Sequence, residues 1–281
     1  MRNLIPFIVG LLLICGCELG PIEEVATPQN LTIEAYDNGL GIRLSWDMVE
    51  NAEGYRIYFK PAGENTYTRI DEVTPGSATS YTQDADAIDS LGLGDYYVTA
   101  FKGRNESSPS NVVSTIPVFE DGCRIYDLDV PTEIGYSAYN WEADGNGEPR
   151  SYESTDDWDI YLNDGIPGAI DNSKFHIISP DTALQGLPIP EEGADNGTAY
   201  IAKVDDPSNI PLGTSITTKY QPESMDEGVA SGDYYVVYMK DEGPFYVLLQ
   251  ITQILDNGIE FDYWFQTIPN FRRFFSAQPA L

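Results

Sequence analysis

Residues 54–59, Gly54-Tyr55-Arg56-Ile57-Tyr58-Phe59, decide how the first half of this chain is read. Successive side chains of a strand point to opposite faces, so this order sets Tyr55, Ile57 and Phe59 on one side and Arg56 and Tyr58 on the other. Just upstream, Ile42-Arg43-Leu44-Ser45-Trp46 alternates in the same way, with Ile42, Leu44 and Trp46 sharing a face. Leu31-Thr32-Ile33, Tyr67 to Ile70, Ser80 to Thr82, Tyr96 to Phe101 and Val112 to Ile116 complete a set of short β-patterned runs. Turn residues such as Asp37-Asn38-Gly39 separate them. Runs of this length and spacing predict a β-sandwich over residues 27–118.

Particular residues sharpen that expectation. Pro28, Leu44-Ser45-Trp46, Gly54-Tyr55-Arg56-Ile57-Tyr58, Tyr97-Val98-Thr99-Ala100-Phe101 and Glu106-Ser107-Ser108-Pro109-Ser110-Asn111 together resemble a fibronectin type III domain. The resemblance implies that Trp46, Tyr55 and Tyr97 pack between two sheets. Such a sandwich serves as a spacer or as a protein-binding module, and the fold does not choose between them. No Arg-Gly-Asp tripeptide occurs, so integrin-type adhesion is not implied.

Pro117 and Glu120-Asp121-Gly122 mark the expected boundary to a second domain over residues 119–281. The pattern there stays β, which makes the whole chain all-β. The clearest strands are Asp157 to Leu162, Thr198 to Val204, Tyr234 to Lys240, Tyr246 to Ile254 and Ile259 to Gln266. Asp241-Glu242-Gly243 and Asp256-Asn257-Gly258 separate the last three, so an antiparallel meander is predicted.

Asp156-Asp157-Trp158-Asp159-Ile160-Tyr161-Leu162 comes first, then Asp233 to Tyr238, Phe245 to Ile251 and the aromatic strand Gly258 to Gln266. In that order they resemble HmuY-like lipoproteins, β-rich exported proteins whose best-known members bind haem and pass it to an uptake receptor. The resemblance implies haem as a cofactor and a haem receptor or transporter as a partner. Haem needs an axial ligand to iron, an apolar pocket and, in many sites, cations for its propionates. The chain has a single histidine, His176, so a pair of histidine ligands is excluded. His176 as haem-iron ligand, alone or with Met239 or Met225, is the set this sequence offers, and Lys174, Lys240, Arg272 and Arg273 are the cations that could meet the propionates.

The amino terminus says where the protein works. Met1-Arg2-Asn3 precedes an apolar run from Leu4 to Ile14 that is too short to remain as a membrane span, which is the pattern of a signal peptide over residues 1–16. Ile14-Cys15-Gly16-Cys17 resembles the bacterial lipobox, and this implies lipidation at Cys17. Two or more acyl chains hold a protein on a membrane where one holds it only marginally. An extracytoplasmic protein anchored to the outer membrane or cell surface is therefore expected, with residues 17–26 as an acidic linker. Cys123 is then left without an intrachain partner, so no disulfide framework supports the fold.

Lys and Arg number 15 against 45 Asp and Glu, a net charge of −30. That field repels phosphate backbones, so nucleic acid is excluded as a partner. Asp157 and Asp159 lie two apart on a predicted strand and share a face, the one arrangement that could suggest acid–base chemistry. No nucleophile, metal-ligand set or phosphate loop accompanies them, so a non-enzyme is expected. Two functions follow: capture of haem or a porphyrin for uptake, or a cofactor-free surface lipoprotein whose β domains bind a protein or glycan.

Overall fold

The computed structural model describes residues 24–128, 130–151, 158–163, 174–179, 199–222, 227–240 and 243–275. Cys15, Cys17, Asp157 and Met225 lie outside them.

The first sandwich contains β1 (Thr32–Tyr36), β2 (Gly41–Ser45), β3 (Gly54–Pro61), β4 (Thr68–Val73), β5 (Ser80–Gln83), helix α1 (Ala85–Leu91), β6 (Gly94–Lys102), β7 (Asn105–Glu106) and β8 (Val113–Ser114). One sheet runs β1-β2-β5; the other runs β4-β3-β6-β7, with β8 also pairing with β6. This is the strand arrangement of a fibronectin type III-like sandwich. Ile42, Leu44, Tyr55, Ile57 and Phe59 are buried between the sheets as their alternation requires. Trp46 lies 5.1 Å from the Tyr55 ring, and the Tyr55 hydroxyl accepts from Val49 N–H at 2.8 Å and donates to the Gly76 carbonyl at 3.1 Å. Tying two loops to one buried tyrosine fixes the end of the sandwich.

Tyr97 corrects the expectation. Tyr96, Val98 and Ala100 face inward and are fully buried, so Tyr97 stands on the outer face of β6. A shift of one residue exchanges the faces of a strand, and two adjacent tyrosines hide that choice in the sequence. The helix α1 was also not expected. Asp84 caps it by accepting from Ala87 N–H at 3.0 Å, and Gly92 ends it at φ +80°.

The second sandwich contains β9 (Val118–Tyr126), β10 (Ala138–Trp141), β11 (Gly147–Arg150), β12 (Ile160–Asn163), β13 (His176–Ile178), β14 (Ala199–Val204), β15 (Tyr220–Gln221), β16 (Tyr234–Met239), β17 (Phe245–Leu255) and β18 (Gly258–Gln266). Its main sheet is β14-β16-β17-β18-β9 and its second sheet is β11-β10-β12-β13-β15. The meander β16-β17-β18 is antiparallel throughout, and Leu255 pairs with Gly258 across Asp256-Asn257. Glu120-Asp121-Gly122 is a bulge inside β9 rather than a boundary turn. Gly122 sits at φ +66° and donates its N–H to Asp262 where the register of β18 shifts.

Tyr139, Trp141, Ile160, Leu162, Phe175 and Ile177 of the second sheet meet Tyr235, Val237, Val247, Leu249, Phe261 and Tyr263 of the main sheet in one core. The outer face of the main sheet is covered too. Val236, Tyr238, Tyr246 and Leu248 pack there against Ile210, Ile216 and Phe274. A strand buried on both faces needs no polar alternation, which is why Tyr235-Val236-Val237-Tyr238-Met239 is uninterrupted by charge.

After β18 the chain returns to the first sandwich. Ile268 and Phe271 are buried in that sandwich's core, and Arg272 donates its backbone N–H to the Gly39 carbonyl at 3.1 Å. Arg273 pairs with Asp89 at 2.8 Å, and Gln266 donates to the carbonyls of Thr115 and Arg273. The two sandwiches are thus joined by a shared core segment as well as by the strand connection at Pro117.

Candidate functional site

His176 lies in the middle of a buried patch on the side of the second sheet facing away from the main core. Along β13, Phe175 and Ile177 enter the core, so His176 and Ile178 point the other way. His176 pairs with Asn163 and Ile178 with Tyr161, and residues directly opposite on paired strands share a face. His176 and Ile178 are fully buried, while Asn163 is 5% and Tyr161 6% exposed. Trp158, also buried, meets Tyr161 edge to face at 5.3 Å. Burial drives the Tyr161 phenol far above its usual range, so it stays neutral and can donate a hydrogen bond.

The imidazole orientation is defined. Its Nδ1 stands 2.8 Å from the Lys174 carbonyl oxygen, and a carbonyl can only accept. Nδ1 therefore carries a proton, and in the neutral imidazole the lone pair is on Nε2. This tautomer, fixed through Nδ1–H and a backbone carbonyl, is the one that presents Nε2 as a metal ligand.

The other expected ligands are not brought to this patch. Met239 is buried in the main core beside Phe245 and pairs with Ala199. His176 faces the opposite side of its own sheet, so the His176–Met239 axial pair does not form. Among the expected cations, Arg272 and Arg273 are committed to the junction between sandwiches, where Arg272 Nε donates to the Asn38 carbonyl at 2.8 Å. Lys174, two residues from His176, remains beside the patch. Among the described residues no group of three or more His, Cys, Asp or Glu could hold a metal ion.

Asp159 has a structural role. It is 3% exposed, and its carboxylate accepts from the Trp141 backbone N–H at 2.8 Å while its own N–H donates to the Tyr139 carbonyl. The side chain extends the β10–β12 ladder beyond its backbone pairs. Cys123 is a free thiol buried against Tyr139, and burial pushes it up to about 11, which leaves it protonated and unreactive at neutral pH.

A second group of side chains, missed because Tyr97 was assigned to the core, lies on the outer face of the β4-β3-β6-β7 sheet. Tyr58 stacks on Tyr97 at 4.7 Å, and Tyr97 meets Tyr67 at 4.6 Å. Arg56 pairs with Glu72 and Glu106, and Glu106 also accepts from Tyr58 at 2.8 Å and Thr99 at 2.6 Å. Burial alone would raise the Glu106 carboxyl, but these bonds outweigh it and hold it below the usual range. Burial and the bond to Glu106 push the Tyr58 phenol up to about 12. The result is an ordered, half-exposed tyrosine stripe.

No protein-family profile and no curated protein matches the chain. Among solved structures, an Fn3-like protein from Clostridium thermocellum is 23% identical, covering 32% of this chain and 90% of that one with a TM-score of 0.27. The fn3 domain of human collagen alpha-1(XX) chain is 19% identical, covering 34% and 86%, with a TM-score of 0.25. The fn3 domain of human contactin 1 is 16% identical, covering 33% and 78%, with a TM-score of 0.26. The assignment of the first sandwich rests on its own strand order.

Proposed function

We propose that this chain is an exported, lipid-anchored, non-catalytic surface or outer-membrane protein whose HmuY-like second sandwich captures haem or a related porphyrin for transfer to an uptake receptor. The observation that supports it is the His176 patch: one buried imidazole with Nδ1–H held by a backbone carbonyl, on the sheet face it shares with Asn163, Tyr161 and Ile178. A single axial ligand of this kind suffices to hold haem iron. The fibronectin type III-like sandwich lifts this domain from the lipid at Cys17.

Titration of the full-length protein with haemin tests the binding. A Soret shift saturating at one equivalent is expected, and His176→Ala should change the spectrum and weaken binding at least tenfold. No spectral change at stoichiometric protein rejects haem capture. For the anchor, labelled palmitate should enter the wild-type chain and not Cys17→Ala; a wild-type protein that takes up no label rejects it.

The tyrosine stripe on the first sandwich favours a second reading, a cofactor-free lipoprotein that holds a protein or glycan partner. Tyrosine offers large contact area at small entropic cost, and these rings are already ordered by stacking. An unaltered haemin spectrum would leave this reading in place.

A further inference from the structure

A cavity of about 460 Å³ opens where the two sandwiches meet. Asp37, Asn38 and Gly39 of the β1–β2 turn form one wall, Leu212 to Thr214 form another, and Tyr238 and Tyr246 form the floor. Asn270 of the returning tail closes one side and Tyr36 stands at the rim, 39% exposed. Junctions between domains are where small-molecule sites concentrate, and this volume falls within the usual range of about 300–1,000 Å³.

The backbone around the cavity is tightly determined. Asp37, Asn38, Gly39 and Asn270 all adopt positive φ, at 49°, 54°, 82° and 62°. For three non-glycine residues this is an unfavourable conformation, held here by surrounding bonds. The Asp37 carbonyl accepts from Leu40 N–H, the Asn38 carbonyl from Arg272 Nε and the Gly39 carbonyl from Arg272 N–H. The Asn270 N–H donates to the Pro244 carbonyl at 2.7 Å. With the backbone groups so engaged, the side chains of Asp37, Asn38, Thr214 and Asn270 make no hydrogen bond among the described residues. They converge on one cavity as acceptors and donors open to solvent.

The floor is apolar but packed, with Tyr238 9% and Tyr246 2% exposed, so Tyr36 is the ring open to a ligand. Tyr238 and Tyr246 lie 4.9 Å apart, and the Tyr246 oxygen accepts from Gly213 N–H at 2.6 Å, so its own hydrogen is not used in that bond. A Cβ on Gly213 would stand 2.4 Å from the Tyr238 ring, which shows how closely the wall presses on the floor.

We propose that this junction cavity binds a neutral sugar ring, its C–H face against Tyr36 at the rim and its hydroxyls on Asp37, Asn38, Thr214 and Asn270. Alternative ligand classes fit less well. Asp37 at the wall and the chain's charge of −30 oppose an anion. Arg272, bonded to the Asn38 carbonyl behind the wall, offsets the Asp37 charge and removes the advantage of a cation. A porphyrin or acyl chain would need an apolar enclosure, whereas Asp37, Asn38, Thr214 and Asn270 line this cavity, and none of the described residues lining it is a histidine or methionine. The site shares no residue with the His176 patch, so it stands or falls independently of haem capture.

Saturation-transfer difference NMR on the full-length protein, with glucose, galactose, mannose, N-acetylglucosamine and cellobiose as probes, tests the proposal. Transfer to the ring C–H protons of at least one probe is expected. Tyr36→Ala and Asn38→Gly should each weaken that probe tenfold or more, while Tyr136→Ala, at an exposed tyrosine elsewhere, should not. Glycine keeps the positive φ that residue 38 needs, so loss in Asn38→Gly reports the missing carboxamide rather than a refolded turn. No transfer to any of the five sugars, or undiminished transfer in both cavity variants, overturns the proposal.

Discussion

Phe271→Ala should lower the stability of the first sandwich by about 3–5 kcal/mol, the cost of truncating a fully buried phenylalanine, although residue 271 follows the last strand of the second sandwich. Phe271 is 0% exposed and belongs to the core that contains Trp46, Tyr55 and Tyr96. Ile268 enters the same core three residues earlier. The approach depends on Gly39: at φ +82° its Cβ position would lie 2.1 Å from the Asn270 carbonyl oxygen, so only a residue without Cβ lets the tail lie so close. Interfaces between domains of one chain usually permit relative motion unless they are apolar and extensive. Here the connection is part of the first core, so its truncation should loosen that sandwich first. Hydrogen exchange read by mass spectrometry would show faster exchange in β2, β3 and β6 of the variant, with β16 and β17 much less affected. A loss under 1 kcal/mol, or equal acceleration in all these strands, would show that the tail does not belong to the first core.

The contribution of this tail could not be read from the sequence, because an apolar residue beyond the last strand, such as Ile268 or Phe271, carries no sign of which core receives it. Periodicity is local, whereas the tail closes a contact with the β1–β2 turn more than 200 residues away. Where the signal is local, reading succeeds: Tyr55, Ile57 and Phe59 alternate into the core, and the meander from Tyr234 to Gln266 falls close to its expected bounds. β10, β11, β13 and β15 carry little sequence signal, being only two to four residues long and deriving their stability from partners rather than from pattern, and the nine-residue β9 is hidden by the acidic Glu120-Asp121-Gly122 bulge that reads as a boundary turn. At the candidate site, the uniqueness of His176 made it visible, but its pairing with Met239 depended on which face of a sheet each occupies. That face is set by the neighbours Phe175 and Ile177, whose apolar claim on the core turns the histidine outward.

Trp141→Ala should destabilise the second sandwich by about 3–5 kcal/mol, and Trp141→Phe by much less than that. Trp141 is completely buried between the sheets, with Tyr139 at 5.0 Å and Tyr263 edge to face at 5.7 Å. Alanine removes most of this aromatic contact and leaves a cavity in a core whose strands are fixed by their ladders and cannot close over it. Phenylalanine retains a ring in the same stack. It also removes a defect, since among the described residues the indole N–H of Trp141 has no hydrogen-bond partner. Leaving a buried donor unsatisfied costs about 1–3 kcal/mol, and its removal offsets part of the volume lost. Asp159 is unaffected by either change because it accepts from the backbone N–H of residue 141. Urea denaturation followed by far-ultraviolet circular dichroism measures both losses. Equal losses in the two variants would mean that the indole N–H is satisfied in solution and that this bond, rather than the volume of the ring, sets the contribution of this position.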